Sequence, residues 1–259
     1  FEKIYEAGLR EFCFVVGKGK RSIEDHFTLD IGLFEHIQRN RLFGIAEELN
    51  RFYEKIRNSN MVFVNQPEPR GFGDAIYQAK SFTGNEPFLV NAGDDLVMSE
   101  GGGYAKRLMH VFETYKADAA LCVERAKDPR KYGVIRGKKI LENIYLVEGI
   151  EEKPEQPKSN IAVVAVYAFA RRIYDGIERV RQNASKEIQL TDAIQELIDD
   201  GCDVLAVELD SNERRIDIGA PDSYCCALMQ LWGSVSDSPL ARRQAKWNVR
   251  TADKRQMFQ

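Results

Sequence analysis

Apolar and polar positions in the first half of the chain follow two different spacings. Short apolar runs bounded by turn residues predict buried strands, and longer stretches with apolar residues three or four positions apart predict amphipathic helices. The predicted strands are residues 11–16, 61–64, 87–92 and 117–123. The longest helical stretch is 33–57, for which we expect a break near Gly44. This alternation predicts an α/β fold with a doubly wound, mostly parallel sheet.

The pattern changes after Lys131. Short strand-like segments within residues 132–154 and an apolar run at 161–169 predict a small antiparallel β excursion from the main sheet. Further elements follow, namely helices at 171–182 and 189–199, a strand at 202–208 and a last helix that begins at Pro221. We therefore predict one large domain over residues 1–219 and a C-terminal helical extension over residues 220–259.

Composition narrows the class of protein. A net charge of −3 and a pI near 5.8 give no electrostatic reason to expect nucleic acid or an anionic membrane as a partner. No run of about 18 apolar residues exists that could span a membrane, and charged residues near the N-terminus argue against a signal peptide. The 5 cysteines are an odd number and widely spaced, apart from the adjacent pair Cys225 and Cys226, and they show no C-x-x-C metal spacing. Reduced thiols and a cytoplasmic location are the expectation.

Candidate chemistry lies directly after the predicted strand 87–92. Gly93, Asp94 and Asp95 follow this strand at the edge where open α/β sheets bind ligands. Mg²⁺ is usually held by one or two carboxylates, with substrate phosphates supplying further oxygens, so this edge predicts a metal-phosphate site. The alternative is that the two acids only cap a turn. Upstream, Gly71 and Gly73 lie in a turn where glycine allows close approach of a ligand.

A set of motifs resembles one family in both order and spacing. They are G-K-G-K-R-S-I-E-D-H-F at 17–27, Q-P-E-P-R-G-F-G at 66–73, G-D-D at 93–95, Y-G-V at 132–134, E-K-P at 152–154, E-I-Q-L-T-D at 187–192 and D-I-G at 217–219. These are similar to the motifs of bacterial and archaeal UDP-glucose pyrophosphorylases, within the sugar-1-phosphate nucleotidyltransferase superfamily. The resemblance implies a Rossmann-like, GT-A-like nucleotidyltransferase domain over residues 1–219.

The resemblance also implies how the site is built. Asp94 and Asp217 would hold Mg²⁺, and Asp95 would lie close to the metal and substrate. Lys153 would pair with the phosphate of the sugar, and Glu152 would bind its hydroxyl groups. These residue types suit the task, because a carboxylate is a multiple acceptor and a lysine is a compact cation.

The remaining candidates concern the base and the sugar ring. Gln66 and the backbone at Gly71 would read the uracil edge, since an amide can donate and accept together. The backbone of Gly133, next to Tyr132, would lie against the sugar, and Glu187 is a further substrate-binding candidate. Each short motif taken alone also fits a solvated turn, and Asp217 beside two arginines also fits a surface ion pair.

The reaction implied is in-line transfer of a uridylyl group from UTP to glucose 1-phosphate, with release of pyrophosphate and no covalent enzyme intermediate. A homodimer or homotetramer is expected. Three alternatives stay open: thymidylyl transfer, which Gln66 equally allows; a catalytically inactive paralogue that binds sugar nucleotides; and a metal-dependent glycosyltransferase that uses Asp94 and Asp95.

Two departures from the family pattern stand out. Lys186 replaces a glycine of the family, a change expected to matter little. The family's Gly-rich phosphate-binding loop follows the first strand of the family's fold, upstream of all the motifs given above, and is not found in residues 1–8. Because backbone donors of such a loop can contribute about 3 kcal/mol each to the transition state, we expect the chain as printed to be inactive or impaired.

Overall fold

The computed structural model describes residues 1–183 and 187–234. These residues divide into two compact units. Unit 1 comprises Phe1–Ala92 and Ser99–Arg214, and unit 2 comprises Gly93–Met98 and the chain from Arg215 onward. The division lies before the predicted boundary at residue 219, because residues 95–98 pair with residues 214–217. The part of the predicted C-terminal extension beyond residue 234 lies outside the described residues.

Unit 1 contains most of the regular structure. Its helices are α1 Glu2–Glu6, α2 Arg21–His26, α3 Ile31–Arg39, α4 Phe43–Arg57, α5 Phe72–Gln78, α6 Lys80–Thr83, α7 Gly103–Tyr115, α8 Ile173–Asn183 and α9 Leu190–Asp199. Its strands are β1 Glu11–Val16, β2 Asn60–Asn65, β3 Phe88–Asn91, β5 Ala119–Arg125, β6 Gly133–Leu141, β7 Ile144–Glu152, β8 Ile161–Phe169 and β9 Val204–Glu208. Unit 2 contains β4 Asp95–Met98, α10 Pro221–Ser234 and nearly all of β10 Arg214–Asp217.

The strands of unit 1 form two sheets. Strands β1 and β2 pair in parallel. The larger, six-stranded sheet has the order β3-β8-β5-β9-β7-β6. Among the described residues of this sheet, β5 and β9 pair in parallel and the other pairs are antiparallel. The predicted α/β class is confirmed, but the antiparallel part is larger than expected. Strand β8 is buried at nearly every position, so its apolar run does not reveal the direction of its neighbours.

One hydrophobic core lies between the six-stranded sheet and helices α8 and α9. Leu121 and Phe169 of the sheet and Ile177 and Ile194 of the helices are fully buried. Burying a side chain of this size contributes about 1.5–3 kcal/mol, so the core fixes the position of both helices on the sheet. The segment just before α9 and the end of β7 therefore have a rigid support, and both carry candidate site residues.

The long helical stretch 33–57 is two helices. Helix α3 begins at Ile31 because the Asp30 side chain caps it, accepting from the Leu33 amide at 2.8 Å. Helix α3 ends at Arg39 and α4 begins at Phe43. Between them Arg41 has a φ of +56°, which interrupts the helical conformation. The break therefore precedes Gly44, which lies inside α4.

Unit 2 has an element that the hydrophobic pattern does not reveal. Asp95 begins the four-residue strand β4, which pairs with β10.

None of the helices in the described part of the chain has both the length and the apolar character that membrane crossing requires.

Candidate active site

Two acidic residues mark the ends of the β4–β10 pair in unit 2. Asp94 directly precedes β4, and Asp217 is the last residue of β10. The backbone amide of Ile218 donates to the Asp94 carbonyl oxygen at 2.8 Å, which fixes the two chain segments side by side. The Asp217 side chain folds back on its own turn, where its Oδ1 accepts from the Gly219 amide at 2.8 Å.

The carboxylates of Asp94 and Asp217 converge over Gly219. A Cβ atom at position 219 would lie 2.9 Å from Asp94 Oδ2 and 3.2 Å from Asp217 Oδ1. Only a residue without a side chain leaves this space to the two carboxylates. Both acidic residues are exposed, so solvent and ligands have access to them.

Asp95 has a different environment from its neighbour. Its side chain is 3% exposed, and its Oδ1 accepts from Arg215 Nε at 2.6 Å, with the Arg215 side chain 10% exposed. A buried, paired carboxylate supports the β4–β10 pair rather than offering oxygens to a ligand. The role of Asp95 in substrate binding stays a prediction.

The side chains at this place fit the predicted Mg²⁺. In residues 1–183 and 187–234, no group of three or more His, Cys, Asp or Glu side chains is arranged to hold a metal ion. Two exposed carboxylates are nevertheless enough for Mg²⁺, which commonly takes one or two from the protein and the rest of its ligands from phosphates and water. Asp94 and Asp217 fit this requirement.

The Pro- and Gly-rich loop of unit 1 is attached to the segment before α9. Ile188 donates its amide to the Arg70 carbonyl at 2.7 Å, and Gly73 donates to the Ile188 carbonyl at 2.9 Å. A Cβ at Gly71 or Gly73 would approach the Ile188 carbonyl oxygen to 2.8 or 2.9 Å, and Gly71 has a φ of +105°. Both glycines are therefore required by the close contact with Ile188.

Gln66 is half-buried beside this loop. Its Nε2 donates to the Gly71 carbonyl at 3.3 Å and to Asp74 Oδ2 at 3.0 Å. Within the described residues, neither the Gln66 Oε1 nor the Gly71 amide has a hydrogen-bond partner. One acceptor and one donor are thus available next to each other for a ligand.

A second cluster in unit 1 gathers the predicted sugar-binding residues. Gly133 pairs with Glu152 across strands β6 and β7, and the Lys153 amide donates to the Tyr132 carbonyl at 3.1 Å. A Cβ at Gly133 would lie 2.9 Å from Thr191 Cγ2 and 3.3 Å from Glu152 Oε2. The space that glycine leaves open at position 133 is therefore taken up by these two side chains.

Lys153 combines exposure with an unusual backbone conformation. Its side chain is 64% exposed, and its Nζ lies 3.7 Å from Glu152 Oε1. Its φ is +42°, in the left-handed region that residues with a side chain enter at a cost of about 1 kcal/mol. Strain of this kind occurs at functional sites when the surrounding structure enforces it.

The segment 187–191 connects the two clusters of unit 1. Ile188 contacts the loop at Gly71, and Thr191 contacts Gly133. Glu187 is exposed, and its Oε2 accepts from Gln189 Nε2 at 2.9 Å, which leaves its other oxygen available. The structure thus brings together Gln66 with Gly71, Tyr132 and Gly133 with Glu152 and Lys153, and Asp94 with Asp217.

Three residues of these clusters were missed by sequence reasoning. Asp74 and Thr191 are 2% and 5% exposed, and Arg215 is the partner of Asp95. Thr191 lies in the motif at 187–192, and Asp74 directly follows the motif at 66–73. Their position in or beside these motifs is the only feature of the sequence that could have drawn attention to them. Asp74 contacts Gln66 and Arg181, and Arg215 pairs with Asp95, and no spacing in the sequence reveals these distant partners.

Comparison with known proteins identifies the family. Residues 30–232 match the family described as Nucleotidyl transferase. The chain is 36% identical over 206 residues to the UTP–glucose-1-phosphate uridylyltransferase of Streptococcus pyogenes, covering 76% of this chain and 66% of the relative. It is 34% identical over 232 residues to the Pseudomonas aeruginosa protein of the same name, covering 86% of this chain and 79% of the relative.

Solved structures give the same answer. An apo UDP-glucose pyrophosphorylase has a TM-score of 0.81 at 28% identity, with 90% of this chain and 85% of that chain covered. A UTP-bound enzyme from Acinetobacter baumannii has a TM-score of 0.79 at 26% identity, with 95% and 85% covered. A UDP-glucose complex of a UDP-glucose pyrophosphorylase has a TM-score of 0.76 at 27% identity, with 90% and 84% covered. The chain therefore belongs to the nucleotidyl transferase family and, as its motifs predict, to the UTP–glucose-1-phosphate uridylyltransferases within it.

Proposed function

We propose that the protein makes UDP-glucose and pyrophosphate from UTP and glucose 1-phosphate. The single observation that carries this proposal is the convergence of Asp94 and Asp217 over Gly219, in a chain of this family. It is supported by relatives named UTP–glucose-1-phosphate uridylyltransferase and by neighbouring structures described as bound to UTP or to UDP-glucose. The chain spans 66% of the Streptococcus relative, so the activity is proposed for the whole protein.

In the proposed reaction a phosphate oxygen of glucose 1-phosphate attacks the α-phosphorus of UTP. The new P–O bond forms as the bond from the α-phosphorus to the bridging oxygen breaks, and pyrophosphate carries away that electron pair. No protein nucleophile takes part, so the protein acts through position and charge.

Each cluster has a task in this reaction. Lys153 holds the attacking phosphate, because its side chain is 64% exposed and the contact of its ammonium with Glu152 at 3.7 Å is long enough to give way to a dianion. Glu152 accepts hydrogen bonds from sugar hydroxyls, next to the backbone of Tyr132 and Gly133. Glu187 offers a further carboxylate oxygen to the substrate. Gln66 Oε1 and the Gly71 amide bind the uracil edge, which carries a donor beside an acceptor.

Asp94 and Asp217 are the residues that would hold Mg²⁺. When bound, the ion neutralises phosphate charge during the transfer. Asp95, paired with Arg215, keeps the supporting strands β4 and β10 together.

The experiment is a pyrophosphate-release assay on the full-length gene product. It crosses UTP, dTTP, ATP and CTP with the 1-phosphates of glucose, galactose and N-acetylglucosamine. Release must be fastest with UTP and glucose 1-phosphate. Lys153→Ala should chiefly raise the KM for the sugar phosphate, whereas Lys158→Ala, a matched lysine five positions on, should not. Absence of release with every pair would refute the proposal and favour a paralogue that only binds sugar nucleotides.

Thymidylyl transfer onto glucose 1-phosphate is the second candidate. Uracil and thymine present the same donor and acceptors on the edge that Gln66 and Gly71 would read, so this pair of groups does not separate them. The ratio of rates with UTP and dTTP in the same assay decides between the two.

We further propose a cytoplasmic protein that forms a homodimer or homotetramer. The cytoplasmic location is supported by five cysteines that are all free thiols. Self-association would cover large exposed apolar side chains such as Ile31 and Phe43, which are 68% and 63% exposed. Light scattering over a range of protein concentrations gives the oligomeric state.

A further inference from the structure

The amide of Gln66 has a fixed orientation. Its two N–H groups donate to the Gly71 carbonyl oxygen at 3.3 Å and to Asp74 Oδ2 at 3.0 Å. A carbonyl and a carboxylate can only accept. Exchange of the amide nitrogen and oxygen would place Oε1 against two acceptors, so only one orientation satisfies the neighbours.

Asp74 is itself buried beside Gln66, with a different environment for each of its two oxygens. It is 2% exposed at the start of α5, and its Oδ2 also accepts from Gln78 Nε2 at 3.4 Å. Its other oxygen, Oδ1, lies 3.6 Å from Arg181 Nε, and the Arg181 guanidinium lies 4.0 Å above the Tyr77 ring. A buried carboxylate with these neighbours has little freedom to turn.

With both N–H groups engaged, Gln66 can offer a ligand only its oxygen. In uracil and thymine the ring atom N3 carries a proton and donates to such an oxygen. In cytosine the same position is an acceptor, and it would face the oxygen without a proton between them. A buried acceptor left opposite another acceptor loses its hydrogen bond and costs binding free energy.

We infer that Asp74 is a positioning residue that selects the base: by fixing the Gln66 amide, it makes the site accept pyrimidines with a proton on N3 and reject cytosine. This inference rests on the proposed function, since it takes Gln66 as the residue that reads the base. Asp74 does not touch the nucleotide and acts only through Gln66.

The test replaces Asp74 with asparagine, which has nearly the same shape. The Arg181 guanidinium attracts the carboxamide oxygen to the Oδ1 position, which turns the new NH₂ group toward Gln66. Two donors then face each other. Rotation of the Gln66 amide would relieve this conflict, because it turns Oε1 toward the new NH₂ group. Affinities for UTP and CTP are measured by calorimetry on the full-length protein, beside kcat/KM for both nucleotides.

Asp74→Asn should lower the preference for UTP over CTP about tenfold or more in both measurements. The matched control is Glu178→Gln, an isosteric change of a nearby carboxylate that bonds Tyr77 and Lys80 but not Gln66. The control should leave the preference within about twofold, since its change does not reach the amide. Gln66→Leu, which removes the acceptor, should lower the preference at least as much as Asp74→Asn.

An unchanged preference in Asp74→Asn would overturn the inference, as would a wild-type protein that binds UTP and CTP equally. If circular dichroism shows that Asp74→Asn does not fold, Asp74→Ser is measured in its place under the same criterion. A wild-type protein that binds UTP selectively but releases no pyrophosphate would refute the proposed function alone, since the calorimetric ratio still tests Asp74.

Discussion

Asp94 and Asp217 meet over a single glycine. Asp94 Oδ2 and Asp217 Oδ1 would lie 2.9 and 3.2 Å from a Cβ atom on Gly219, and the Asp94 carbonyl accepts from the Ile218 amide at 2.8 Å. The two acids are far apart in the sequence and are brought together by the pairing of β4 with β10. Two carboxylates in one exposed place are what a divalent ion bound to substrate phosphates requires.

The buried pair of Asp95 and Arg215 should be important for stability. Removing one partner leaves a charge without compensation in a place that is 3% or 10% exposed. We expect Arg215→Met to lower the free energy of unfolding by about 3 kcal/mol, measured by urea denaturation. The double variant Asp95→Leu with Arg215→Met should recover most of this loss, because no buried charge remains. A single variant as stable as wild type would contradict the assignment.

The contact of Gly71 with Ile188 predicts a large effect from one added methyl group. Gly71→Ala should lower the free energy of unfolding by about 2 kcal/mol or more, since the position has a φ of +105° and the Cβ would lie 2.8 Å from a backbone oxygen. The control is Gly17→Ala, where nothing lies within 4 Å of the added atom. Thermal and urea unfolding of both variants make the comparison, and equal stabilities would show that the loop is not packed as described.

The backbone at Lys153 should be strained. Because its φ is +42°, Lys153→Gly relieves the strain while Lys153→Ala keeps it. We expect Lys153→Gly to be more stable than Lys153→Ala by about 1 kcal/mol, while both lose affinity for the sugar phosphate to the same extent. The ranking is checked by urea denaturation, and a more stable alanine variant would be inconsistent with the left-handed conformation.

Glu213 links stability to pH. Burial by itself would raise the pKa of Glu213, but hydrogen bonds from Arg107, the Asp210 amide and Ser99 lower it below the ordinary value of 4.5. A carboxylate with a lowered pKa in the folded state stabilises the protein above the unfolded pKa and loses that contribution as the pH falls through the folded pKa.

The free energy of unfolding should therefore decrease below about pH 4.5 more steeply in the wild type than in Glu213→Gln. Urea denaturation at a series of pH values gives the two curves. The variant should be less stable at neutral pH, where its amide cannot replace the charged partner of Arg107. Parallel curves would mean that Glu213 does not contribute in this way.

Much of the fold followed from the sequence where the hydrophobic pattern is strong. Strand β1 lies where its apolar run predicts, and α9 begins one residue after the predicted start. The small strands β4 and β10 could not be predicted. Four residues are too few to show an alternation of apolar and polar positions, and the pairing of these strands depends on partners distant in the chain. The antiparallel direction of β8 agrees with the prediction for residues 161–169, but its place between β3 and β5 did not follow from the sequence, since a strand buried at nearly every position gives no sign of its neighbours.

The candidate site shows the same division. Gly71, Gly133 and Gly219 were recognisable from motifs, and the structure supplies the physical reason for each, a carbonyl or side chain where a Cβ would be. Asp74 was not recognised, because a single acid in the first turn of a helix usually caps the helix or faces solvent. Only the contacts with Gln66 and Arg181 reveal that it is buried and directed inward.

The most direct test of the account is whether Asp94 and Asp217 bind one ion together. Mn²⁺ is titrated in place of Mg²⁺ in the presence of UTP, and bound metal is measured by electron paramagnetic resonance for wild type, Asp94→Asn, Asp217→Asn and the double variant. The control is Asp222→Asn, an exposed acid in the first turn of α10. We predict that each single variant loses the bound ion, that the double variant is scarcely worse than either, and that the control binds as wild type does. Undiminished Mn²⁺ binding in Asp94→Asn, or independent losses that multiply in the double variant, would contradict the shared metal site.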